Sequence, residues 1–184
     1  DGRAGGLDFK SGSASEATGG TIDIKSGTGA LASGPLNFKS GNVDDIATSG
    51  DLVFTSGTGG NTGSIAINTG HASDGSAGTM SLVPGVSTIG DGADVTLTGG
   101  SATAHATSGG QVLISGGEGS SVDLGDGGNG GDIKIHGGDA KGQMALDNGG
   151  NLELLAGNAD AGPGGNVRIE SGSSTDRSSG AVTL

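Results

Sequence analysis

The sequence predicts an all-β chain, a parallel β-solenoid (β-helix) of thin, flattened coils of about 15 residues stacked about 12 deep. Two observations lead there. A short phrase recurs along nearly all of the chain: two apolar residues flanking one variable residue, then a small residue and glycine. Glycine also takes 44 of the 184 positions while aromatics are 2%, which leaves few large side chains for one globular core. Self-similarity at a fixed short period is the signature of stacked repeats.

The phrase appears first as Leu7-Asp8-Phe9 and then as Ile22-Asp23-Ile24, Leu36-Asn37-Phe38, Leu52-Val53-Phe54, Ile65-Ala66-Ile67 and Met80-Ser81-Leu82. Val95-Thr96-Leu97, Val112-Leu113-Ile114, Ile133-Lys134-Ile135, Leu152-Glu153-Leu154, Val167-Arg168-Ile169 and Val182-Thr183-Leu184 continue it. Local alternation with period two excludes a helix, as does glycine in every turn. Strands of about five residues, each ended by a glycine corner, fit the pattern. The phrase keeps one polarity after every turn, as a parallel stack requires and a hairpin meander does not. Eleven glycines mark the expected corners: Gly12, Gly27, Gly41, Gly57, Gly70, Gly85, Gly100, Gly117, Gly138, Gly157 and Gly172.

Steps between phrases run from 13 to 17 residues, except for 21 from Val112 to Ile133 and 19 from Ile133 to Leu152. Residues 1–184 are therefore expected to form a single repeat array, widened at about 112–152. Val122-Asp123-Leu124 and Met144-Ala145-Leu146 supply the extra apolar residues there, read as an opposite limb of their coils. The phrase breaks off at Leu184 with no capping element, so a segment of a longer repeat protein, or units joined end to end, is expected.

Net charge is -12, with 20 acidic against 8 basic residues. Nucleic acid is disfavoured as a partner, because its binding needs clustered Lys and Arg. Cysteine is absent, which removes disulfides, thiolate chemistry and Cys-based metal sites. No apolar run is long enough to span a bilayer. His71, His105 and His136 fall in different repeats without ligand spacing, and no serine stands beside a base. An enzyme is not expected.

Asp123, Asp126, Asn129 and Asp132 sit at steps of three in a glycine-rich run, and such oxygen donors suit a hard cation. The stretch Gly127-Gly128-Asn129-Gly130-Gly131-Asp132 resembles the calcium-binding β-roll nonapeptide of the RTX family, although Ile133 and Ile135 fall out of its phase. Calcium is thus the one cofactor suggested, held by those four residues. Pairs such as Asp8/Lys10 and Asp23/Lys25 predict a surface ion lattice that blunts aggregation. Thr96-Leu97-Thr98 has the form of an ice-binding ladder once only, and ice binding is the alternative function.

The recurring Ile-x-Ile-x-Ser-Gly style resembles the Gly/Ser-rich repeat proteins of extracellular matrices, fibres and appendages. That resemblance implies a structural, non-enzymatic protein, extracellular or at the cell surface. It implies work in a fibre, appendage or adhesive matrix, self-associating end to end or side by side. Matrix polysaccharide and calcium are the other expected partners, and a calcium-stabilised surface or fibre protein is a second alternative.

Overall fold

The computed structural model describes residues 5–44, 47–123, 125 and 127–183. Among them none lies in a helix or in a strand, and this overturns the all-β solenoid, and with it the β-helix. Ten backbone hydrogen bonds are present among the described residues, and each closes a loop or turn within 14 residues of its start. A folded domain carries roughly one internal hydrogen bond per residue. Among the described residues no phrase donates a backbone hydrogen bond to the next. The physical reason lies in the loops, whose closing bonds pair glycine with glycine inside one repeat and not phrase with phrase. Closing a short loop on itself has a smaller entropic cost than pairing with a distant repeat.

The chain divides into two units, Asp1–Val83 and Pro84–Leu184. In both, the closed element is a loop running from a corner glycine to a second, returning glycine. In the first unit, Gly20 N–H donates to Gly12 O at 2.9 Å and Gly34 N–H to Gly27 O at 3.0 Å. In the second, Gly110 donates to Gly100 at 2.7 Å, Gly131 to Gly117 at 2.8 Å, and Gly150 to Gly138, Gly165 to Gly157 and Gly180 to Gly172 at 2.9 Å each. From each returning glycine before Gly180 the next corner glycine is 7 residues on, as in Gly20 to Gly27, Gly131 to Gly138 and Gly165 to Gly172. The loops alone vary, from 7 residues (Gly27 to Gly34) to 14 (Gly117 to Gly131). All the length variation is therefore absorbed in the loops, and the two long steps near 112–152 are the two longest of them.

Loop tips are held by local side-chain bonds. Asp123 Oδ1 accepts from Gly125 N–H at 2.8 Å, Asp147 Oδ2 from Met144 N–H at 2.8 Å, and Ser87 Oγ from Gly90 N–H at 2.9 Å. Ala106 (φ 56°) and Gly75 (φ 130°) take the left-handed turns of their loops, where glycine is the unstrained choice. Val122, Met144 and Leu146, expected on an opposite limb, are exposed in their loops. Leu124 lies outside the described residues.

There is no buried side chain among the described residues. The accessible surface is 18244 Å². A compact monomer of this mass exposes roughly 7,800 Å² and a fully unfolded chain roughly 25,000 Å². About a quarter of the chain's surface is thus withdrawn from water, against about 70% for a compact domain of similar size. What burial exists is patterned. Phrase residues such as Leu36 (48%), Val112 (49%) and Ile133 (50%) are half covered, whereas Leu31 (102%) and Ile89 (100%) in the loops are bare.

Candidate functional site

Neighbouring phrases in the first unit meet through their side chains. The Phe38 and Phe54 rings lie 6.5 Å apart and edge to face, at an interplanar angle of 89°. This T-shaped arrangement is favoured by the ring quadrupoles. With Ile65, Ala66 and Ile67 of the following phrase they line a shallow apolar groove of about 400 Å³. Alternation in an extended chain places Leu36, Phe38, Leu52, Phe54, Ile65 and Ile67 on one side of their segments. The groove is part of a row of half-exposed apolar side chains that the chain itself does not cover.

The alternate positions carry charge. Lys10 pairs with Asp8 at 2.8 Å, Lys25 with Asp23 at 3.3 Å and Lys134 with Asp132 at 3.2 Å, and in the 138–150 loop Lys141 pairs with Asp139 at 3.1 Å. Arg168 Nε donates to Glu170 Oε1 at 2.6 Å. Every pair spans two residues of one segment, so these ions neutralise one another within a segment. Such exposed pairs contribute less than about 1 kcal/mol. Replacing Lys134 with alanine is accordingly expected to alter amide exchange at Gly131 and Gly150 by less than about fivefold. A larger change, read by hydrogen-exchange NMR, would show that the pairs hold the loops shut.

Three of the four residues suggested for calcium, Asp123, Asn129 and Asp132, are described, and the Asn129 backbone lies against Gly119. Asp132 is paired with Lys134. Asp123 bonds the backbone of its own turn. Asp126 lies outside the described residues. The glycines of this run serve backbone approach: Gly128 N–H donates to Ser121 O at 3.1 Å, and a Cβ on Gly128 would stand 2.7 Å from Gly119 C. No group of three or more His, Cys, Asp or Glu that would hold a metal ion occurs among the described residues.

The corner glycines have a specific place. All eleven have open space where a Cβ would stand, and seven of them accept the loop-closing bond through their carbonyl. Crowding falls on their partners, which the recurring phrase alone does not single out. A Cβ on the returning Gly110 or Gly150 would lie 2.9 Å from the corner N, and on Gly20, Gly131 or Gly165 3.3 Å from it. A second set precedes the corner. Cβ atoms on Gly99, Gly116 and Gly137 would meet the carbonyl carbons of Gly110, Gly131 and Gly150 at 2.8, 3.0 and 2.8 Å. These three serve the loops of 10, 14 and 12 residues. The closed loops of 7 or 8 residues have Ser11, Ser26, Ala156 or Ser171 there instead. Ser11 uses its hydroxyl to donate to Gly20 O at 2.8 Å. A Gly-Gly corner is therefore the sequence mark of a long loop.

Charge is segregated between these parts. The loops between corner and return hold twelve of the 20 acidic residues but only Lys141 and Arg177 among the basic ones. Most of the net negative charge thus sits on the loops, and the phrases are close to neutral. No helix among the described residues is long and apolar enough to cross a membrane. No protein-family model matches this chain, and no curated protein or solved structure matches it either.

Proposed function

We propose that this chain is a non-enzymatic structural protein, a building block of an extracellular fibre, appendage or adhesive matrix. The observation that carries the reading is the repeated, uncovered surface. One seven-residue frame presents the same apolar side chains again and again, and 18244 Å² remains in contact with water. A chain that withdraws so little of itself gains its order by association with further copies. The acidic, cysteine-free composition suits an extracellular setting.

Its mechanical contribution is extensibility. Each closed loop stores 7 to 14 residues behind its closing backbone hydrogen bond, with one further backbone bond inside each of the two longest. Opening it releases roughly 3.3–3.6 Å per residue, for a net bond of about 0.5–1.5 kcal/mol. The phrases supply contact between units, and the loops supply slack. Electron microscopy of the full-length natural protein is expected to show filaments or mats. Isolated short monomers at every concentration would overturn the reading.

A further inference from the structure

We propose that a second copy of this chain covers the apolar row of the first unit, seated face to face on the groove of Phe38, Phe54, Ile65 and Ile67. This rests on the building-block reading and names the face through which blocks associate side by side.

The chemistry of the groove selects its occupant. It is lined by Phe, Ile and Ala alone, and the charged residues nearest to it in the sequence, Lys39 and Asp51, fall at positions that alternate with its apolar side chains. An ionic ligand therefore finds no counter-charge on this face. What fits is another row of Leu, Ile and Phe at two-residue spacing, and the chain carries that row itself. Phe38 against Phe54 already shows one phrase receiving the next through side chains.

Area and charge point the same way. Fully burying one such side chain removes roughly 60–120 Å² from water, so a half-exposed one has roughly 30–60 Å² left to give. Summed along the row from Leu7 to Leu82 on two facing copies, this amounts to roughly 700–1,400 Å² before any backbone is counted. Stable interfaces bury about 1,200–2,000 Å². The acidic loops meanwhile repel their equivalents on another copy. Contact through loops is disfavoured, and contact through the near-neutral phrases is left.

Sedimentation velocity on the full chain, from about 1 μM to about 1 mM, tests the face. Association is expected to strengthen with added salt, which screens the loops. The double variant Phe38→Ser/Phe54→Ser is expected to weaken it about a hundredfold or more. Because the chain has no cysteine, Ile67→Cys adds a second readout on an otherwise native row. Mild oxidation is expected to link two Ile67→Cys copies, whereas Ser76→Cys in the 70–78 loop stays unlinked. If the double variant associates like the parent and Ile67→Cys stays unlinked, this face is wrong while the building-block reading stands. A parent chain that is monomeric throughout, with filaments still seen in the natural material, also overturns the second copy as occupant. Monomers in both experiments sink the two readings together.

Discussion

Replacing Gly137 with alanine is expected to open the 138–150 loop, whereas the same change at Gly138 is expected to leave it shut. The two positions are adjacent and identical in residue type, so composition and propensity cannot separate them. Geometry does. A Cβ on Gly137 would fall inside contact distance of the Gly150 carbonyl, with the carbonyl carbon at 2.8 Å, while a Cβ on Gly138 meets nothing within 4 Å. The obstructing atoms are backbone, which cannot swing aside as a side-chain end can. Relief comes by moving Gly150 away, and that breaks its 2.9 Å bond to Gly138 O. Overpacking of this kind costs about 1–3 kcal/mol, enough to raise the open population roughly 5- to 150-fold. Amide exchange at Gly150 reads it directly, and equal protection in the two variants would refute the assignment. The same contrast is expected at Gly99 against Gly100 and at Gly116 against Gly117, in the other two long loops.

The recurring apolar phrase was legible in the sequence, and its alternation survives in the structure. Ile22 and Ile24 are less exposed than Leu31 in the loop that follows them, and Asp23 reaches Lys25 as neighbours on one side of an extended segment do. The partner of each phrase was not legible. A recurring phrase of constant polarity is required by a parallel stack, but it arises equally when every repeat closes on itself. A further signal lay at the other end of the loop. Gly20, Gly34, Gly110, Gly131, Gly150, Gly165 and Gly180 each stand two residues before a phrase. Ala93 breaks the rule, and no closing bond joins it to Gly85. Every closed loop has glycine at both ends, but Gly41/Gly50, Gly57/Gly63 and Gly70/Gly78 have it too and are not joined by a closing bond, so the glycine pair permits closure without dictating it.

Of the suggested calcium residues, the spacing of three was visible, but the alternation that takes Asp132 to Lys134 competes with it. Asp132 is one residue before a phrase, and the phrase's own period brings Lys134 to it at 3.2 Å. The glycines around Asn129 have a use that needs no ion, since Gly119 and Gly128 lie too close for either to carry a Cβ. Glycine-rich runs in this chain thus report close approach of backbone to backbone, and the apolar phrases report where side chains gather.

At low concentration the isolated chain is expected to melt without a cooperative transition, and a sharp one is expected to appear as copies associate. Cooperative unfolding requires a large area to be exposed at once, and both heat capacity and denaturant sensitivity scale with that area. Here about three quarters of the unfolded surface is already exposed, and no described side chain is buried. The phrases of a lone copy are held by half-covered contacts such as Phe38 on Phe54, while ordering each residue costs about 1–2 kcal/mol. Glycine, at 44 positions, is the most costly residue to order. Association changes the balance by covering the apolar rows, and mass action then ties stability to concentration. Scanning calorimetry from about 1 μM to about 1 mM is expected to show a broad, nearly featureless trace that sharpens and moves to higher temperature. A sharp transition whose midpoint ignores concentration would mean that the phrases are buried within a single copy. The uncovered row would then have no need of a partner, and contact between copies would have to arise elsewhere on the chain.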